Sequence, residues 1–273
     1  MRFVTPFTGN TLGVKTNLRW KRYARDCQRN YKQTASSASI AIAREIQRDG
    51  LAVIGRVDVE SLLEEATNYF GNDHKLLQQM QQKDQAKMAT HIYDVLTQVK
   101  EPVEAYFGSH FRPYWISVQK TMPGKVDVAS SFGWHIDDNP KEMIKVFVYL
   151  NDVKESNGAF RAFPWKTTKQ LLAKGFRSFD NESRTKNHGW IDSFLSHNQH
   201  KLKILEGESG TVLAFDNNLV HKGTAPQQGF RIAIQIPVIP AKEPFALSDI
   251  ERALLSSRNR DFPSEPGSND FGD

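Results

Sequence analysis

The arrangement of apolar residues changes character near residue 113. Before it, apolar positions recur at three- and four-residue spacings, the period of helices that bury one face. Ile40, Ile42 and Ile46 predict a helix over 34–48 that stops at Gly50, where a missing Cβ suits a left-handed cap. Asp58 is placed to cap a second helix carrying Leu62, Leu63, Ala66, Tyr69 and Phe70. The Gln- and Lys-rich stretch 73–99 has Leu76, Leu77, Met80, Met88, Ile92 and Leu96 at helical spacing. It reads as one or two surface helices with a core stripe.

After residue 113 the runs become short, β-branched and aromatic: YWISVQ (114–119), IKVFVYL (144–150), AFRAF (159–163), HKLKIL (200–205), GTVLAF (210–215) and FRIAIQIPVI (230–239). Several alternate apolar with polar, the period of strands. Turn signals separate them, and Asn157-Gly158 predicts a hairpin. Short strands joined by turns point to a sandwich or barrel, including the double-sheet jelly roll. Residues 165–199 interrupt the series as a helical or loop insertion. LSDIERALLSSR (247–258) predicts one more helix, with Ser248 as cap and Glu251 as its capping-box partner. The tail from 261 is rich in Pro, Gly, Ser and Asp and reads as mobile. The expected division is a basic arm (1–33), a helical flank (34–112), a β core (113–240), a helix (241–260) and a tail (261–273).

Charge adds one feature to this picture. The 273-residue chain carries a formal +5, yet residues 1–35 hold eight Lys or Arg against Asp26 alone. The basic character therefore belongs to the arm, and such arms meet phosphates of nucleic acid, anionic lipid or substrate. Trp20 and Tyr23 within it fit stacking on bases, a lipid interface, or packing back on the domain. No apolar run reaches the roughly 18 residues of a membrane span. A single cysteine, Cys27, excludes an internal disulfide and is compatible with a cytoplasmic protein, peripheral at the inner membrane surface if the arm binds lipid.

The candidate chemistry begins at SFGWHIDDNP (131–140). In an extended segment His135 and Asp137 share a face, while Ile136 and Asp138 point away. Two histidines and one carboxylate on one face of an octahedron leave three positions open, as in non-haem Fe(II) oxygenases. The second histidine is available as His221 in GTVLAFDNNLVHKG. Ten residues later Arg231 lies inside an apolar strand. A guanidinium there is costly unless paired, and a ligand carboxylate is the matching partner.

Together WHIDD, VFVYLNDV running into ESNGAFRAFP, GTVLAFDNNLVHKG and the arginine strand resemble the Fe(II)/2-oxoglutarate-dependent dioxygenases, specifically the phytanoyl-CoA dioxygenase-like branch. The resemblance covers about residues 113–240. It implies an α+β chain built on a double-stranded β-helix, a jelly roll, with flanking helices. It places His135, Asp137 and His221 at the metal-ligand positions and Arg231 on the distal carboxylate of 2-oxoglutarate, with O2 as oxidant. Some relatives add a serine two residues after the arginine; this chain has Ala233, which makes Lys120 the candidate helper. FPWKT replaces the usual Pro-Gly-Ser-His-like turn, so substrate is not carried over. Arg161 is a candidate contact for a substrate acid. Relatives that halogenate lack the carboxylate ligand; Asp137 favours hydroxylation. With the basic arm, the expected substrate is anionic, for example a lipid-linked saccharide as for hydroxylases of the lipopolysaccharide Kdo sugar. A small acid or natural product is the alternative, and a non-catalytic jelly roll with a nucleic-acid-binding arm is the reading from another class.

Overall fold

The computed structural model describes residues 14–256 apart from 73, 138, 179 and 180. Asp138 and the tail 261–273, for which expectations were stated, lie outside the described residues.

In chain order the elements are α1 (Val14–Gln28), α2 (Ser37–Asp49), β1 (Leu51–Arg56), α3 (Glu60–Phe70), β2 (Leu77–Gln79), α4 (Gln82–Gln85), α5 (Ala89–Gln98), α6 (Lys100–Phe107), β3 (His110–Pro113), β4 (Ser117–Thr121) and β5 (Ile144–Tyr149). They continue with β6 (Phe160–Ala162), α7 (Trp165–Ala173), α8 (Asn181–Leu195), β7 (Lys203–Leu205), β8 (Thr211–Asp216), β9 (His221–Lys222), β10 (Arg231–Ala241) and α9 (Leu247–Leu255). The large sheet runs β1-β8-β5-β10-β4-β2, with β3 also on β10, and faces a small sheet β7-β6-β9. This is the expected double-stranded β-helix with flanking helices.

Strand period explains the layers. On β5, Ile144, Val146 and Val148 turn to the helices and meet Leu62, Ile92, Leu96 and Val103. Phe147 and Tyr149 turn inward to Phe160 and Ala162 of the small sheet, and Phe215 of β8 joins them. Both faces of the large sheet are thus covered, and β5, β8 and most of β10 are buried throughout. The insertion folds as α7 and α8 and closes a third apolar cluster around Trp134 and Ile136.

Several expectations change. The segment 34–112 is not purely helical: it adds β1, β2 and β3 to the large sheet, and much of 73–99 is split between β2 and the short α4 and α5. Asn157-Gly158 does not close a hairpin. Glu155–Asn157 form a 3-10 turn, and Gly158 (φ 99°) carries the chain from β5 in one sheet to β6 in the other. A Cβ there would also stand 2.7 Å from the Thr224 carbonyl oxygen. The last helix begins earlier than Ser248 implied, because the Asp249 carboxylate accepts from the Ala246 N–H at 2.8 Å. The arm forms α1. Trp20 is fully buried against Tyr114, Met143 and Ile239, with Tyr23 packed beside it. The aromatic hook for lipid or bases is therefore withdrawn at Trp20.

Candidate metal centre

Two extended stretches build the centre. The loop before β5 brings His135 and Asp137 beside β9, which carries His221. His135 and His221 form an antiparallel bridge, each N–H donating to the other's carbonyl at 2.9 Å. The Asp137 N–H donates to the Asn217 carbonyl at 2.9 Å. Ile136 points the other way, into the α7–α8 cluster. The main chain thus sets all three side chains on one face.

Both imidazoles are oriented by carbonyls two residues back. Nδ1 of His135 lies 2.8 Å from the Gly133 oxygen, and Nδ1 of His221 2.9 Å from the Leu219 oxygen. A carbonyl only accepts, so each Nδ1 carries a proton, and each Nε2 is left as the ring atom directed inward. Those Nε2 atoms lie 3.3 Å (His135) and 3.7 Å (His221) from Asp137 Oδ1. Burial and the neighbouring His135 depress the His221 pKa to about 3, so the ring is neutral at physiological pH. Burial alone would raise the Asp137 carboxyl, but the Lys145 ammonium beside it leads the opposing influences, and the carboxyl is held well below the usual carboxylate range. The result is one anionic oxygen facing two imidazole Nε2 atoms, that of His221 on a neutral ring. Their ligand atoms lie within 4.8 Å of one another, the one such group that could hold a metal ion among the described residues.

Arg231 opens on the same cavity of about 70 Å3, whose walls include His135, Asp137, His221, Thr121, Lys145, Phe147 and Phe215. Its guanidinium donates to the Gly158 carbonyl and, at 3.4 Å, to Thr121 Oγ1, and lies over the Phe147 ring. Burial lowers its pKa.

Lys120 is not brought to the site. In the β4–β10 register Thr121 stands opposite Arg231 and Lys120 opposite Ile232, so Lys120 is on the other face. Its ammonium donates to the Gly71 carbonyl at 2.8 Å. The hydroxyl beside Arg231 comes from Thr121 instead. Arg161 also faces away from the cavity, pairing with Glu155 at 2.9 Å and standing next to Lys222 across the β6–β9 register. Sequence reasoning missed Lys145, whose Nζ lies 2.5 Å from Asp137 Oδ2. The signal was present: a lone lysine in IKVFVYL breaks an apolar strand just as Arg231 does. Gln119 and Gln235, hydrogen-bonded at 2.7 Å, also line the cavity and were not singled out as a pair.

Two imidazoles and one carboxylate, each tied from behind by a hydrogen bond or ion pair, fit a divalent first-row metal with open positions. The fold and donor set therefore define a non-haem iron, 2-oxoglutarate-dependent oxygenase. The family model for phytanoyl-CoA dioxygenase (PhyH) matches residues 46–232, more than half of the chain, and the protein belongs to that family. No curated protein matches the sequence. Among solved structures, the fold is similar to the non-haem α-ketoglutarate-dependent epimerase SnoN of nogalamycin biosynthesis (14% identity, 75% of this chain and 83% of that chain, TM-score 0.52). It is similar to the carbocyclase SnoK of the same biosynthesis (16%, 78% and 87%, TM-score 0.50). It is also similar to the apoform of EctD from S. alaskensis (13%, 77% and 80%, TM-score 0.51).

Proposed function

We propose that His135, Asp137 and His221 hold one Fe(II), that Arg231 binds the distal carboxylate of 2-oxoglutarate, and that the enzyme uses O2 to hydroxylate a C–H bond of an anionic small molecule. The observation that carries this reading is convergence: the three donor atoms and the buried guanidinium line one cavity. Iron, when bound, couples decarboxylation of 2-oxoglutarate to succinate and CO2 with oxidation of the substrate. The chain supplies the rest. Arg231 offers a planar fork to a carboxylate, Thr121 Oγ1 sits beside it, and Phe132, Phe147, Phe160 and Phe215 wall the cavity with apolar surface. Asp137 as third ligand favours hydroxylation over halogenation.

A lipid-linked saccharide at an anionic membrane surface is the finer reading. It is supported by α1, which buries Trp20, Ala24 and Cys27 and exposes Lys15, Lys21, Arg22 and Arg25. That attraction is purely electrostatic and falls with salt. No helix among the described residues is long and apolar enough to cross a membrane. The deciding experiment incubates the protein with Fe(II), 2-oxoglutarate, O2 and candidate anionic substrates. A gain of one oxygen in the substrate by mass, matched by succinate, is expected. Failure to bind or consume 2-oxoglutarate in the presence of Fe(II) overturns the proposal. Sedimentation with anionic vesicles tests the finer reading, which fails if the intact chain stays in the supernatant at low salt.

A further inference from the structure

Lys145 sits in the middle of the large sheet, on a strand buried along its whole length. Its side chain is 7% exposed. An ammonium in such a place needs a strong partner. The partner it has is Asp137 Oδ2, at 2.5 Å, and the rings of Phe215 and Trp115 lie 5.5 and 5.9 Å from Nζ. The other carboxylate oxygen, Oδ1, is the one directed at the two histidine Nε2 atoms. The two oxygens of Asp137 are thus divided between two tasks.

We propose that Lys145 is a positioning residue that ties up Asp137 Oδ2 so that the carboxylate gives the metal one oxygen only. This rests on the reading of the triad as an iron site. The physical argument concerns coordination positions. A carboxylate free at both oxygens can chelate a metal, and the second oxygen then occupies a position that the co-substrate or O2 needs. An ammonium within hydrogen-bond distance of Oδ2 competes with that chelation and fixes the plane of the carboxylate. The aromatic faces of Phe215 and Trp115 keep the ammonium on station. Arg231 lies on a different strand and is held by Gly158 and Thr121, so it cannot substitute for Lys145 in this role.

The test uses Co(II) as a spectroscopic probe under anaerobic conditions, with the full-length wild-type protein, Lys145→Met and Asp137→Ala. The Co(II) absorption spectrum and the affinity of the Co(II)-loaded protein for 2-oxoglutarate are measured. In Lys145→Met we expect a changed ligand-field spectrum and at least a tenfold weaker 2-oxoglutarate affinity. An unchanged spectrum with wild-type affinity overturns the role of Lys145. Absorption-edge fine structure of the Co(II)-loaded wild type gives a second measurement that needs no variant. A single-oxygen Asp137 is expected, and two Asp137 oxygens on the metal overturn the inference. Failure of the underlying reading looks different: wild type then takes up no Co(II), or Asp137→Ala takes it up equally well.

Discussion

His135 and His221 are joined through their backbones before any metal is considered: each N–H donates to the other's carbonyl at 2.9 Å, and the ring centroids stand 4.3 Å apart. Because main-chain bonds set this spacing, the nitrogen pair is organised in advance, and binding need not order it. Metal should therefore add its binding energy to stability directly. At a free metal concentration about 100 times Kd the gain is about 2.7 kcal/mol. We expect Fe(II) or Co(II) to raise the wild-type Tm, and His135→Ala or His221→Ala to keep the fold but lose the metal-dependent rise. Thermal scans with and without metal check this; a rise that survives in both variants would place the metal elsewhere.

Arg231 and Lys120 make opposite predictions although both are cations on neighbouring strands. On the proposed role of Arg231, its replacement by Met would remove two charge-assisted hydrogen bonds to the 2-oxoglutarate carboxylate, about 1.5–3 kcal/mol each. The KM for 2-oxoglutarate should rise by about two orders of magnitude or more, with a smaller effect on kcat. Lys120→Ala should leave that KM within about twofold, because its ammonium serves the Gly71 carbonyl on the far face. Initial rates of succinate formation against 2-oxoglutarate concentration decide. A Lys120→Ala effect as large as that of Arg231→Met would contradict the register.

These residues also show what was readable in advance. The triad was legible from the two-residue spacing of His135 and Asp137 with a later histidine, and Arg231 as a charge inside an apolar strand, together resembling a known family. Lys145 carried the same signal inside IKVFVYL, but a lone lysine names no ligand until Asp137 is seen opposite it. Lys120 was misassigned for a different reason. Alternation says that Gln119 and Lys120 face opposite ways, but which one faces inward depends on the pairing of β4 with β10, where Thr121 meets Arg231. Strand β1 was invisible because its partner, β8, lies far along the chain, with Leu51 opposite Phe215. Its short run after a helix has no local feature that distinguishes a strand from a helix end. Trp20 was left open between nucleic-acid bases, a lipid interface and the domain itself, and only the packing of α1 on Tyr114, Met143 and Ile239 settled it.

That packing makes α1 part of the domain's stability. Trp20→Ala removes a fully buried indole and should cost about 3–5 kcal/mol. Replacing Lys21, Arg22 and Arg25 together by Gln should change stability by about 1 kcal/mol or less, since all three are exposed. The same triple change should abolish any vesicle binding. Denaturant unfolding and vesicle sedimentation of both variants separate the two roles. A Trp20→Ala variant as stable as wild type would mean that α1 does not dock on β10 in solution.

Asp216, at the end of β8, faces the helices rather than the cavity and is 2% exposed. Burial pushes its carboxyl up to about 7, although the Asn218 N–H donates to Oδ1 at 2.8 Å and Lys141 pulls the other way. The sign follows from linkage. With a folded pKa near 7 and an unfolded value near 3.8, the folded state binds more protons between those limits. The stability associated with this group is therefore fully present below about pH 4 and is lost as pH rises towards 7. At 1.36 kcal/mol per pKa unit the loss is at most about 4 kcal/mol. Other groups titrate over the same range; His221, with its depressed pKa, makes the opposite slope. The informative quantity is thus a difference between two proteins. Asp216→Asn keeps an oxygen for the Asn218 N–H and cannot ionise. Its Tm relative to wild type should climb steadily from pH 4 to pH 8, with the variant the more stable protein at the upper end. A Tm difference that does not vary with pH would mean that the Asp216 carboxyl titrates alike in the folded and unfolded chain.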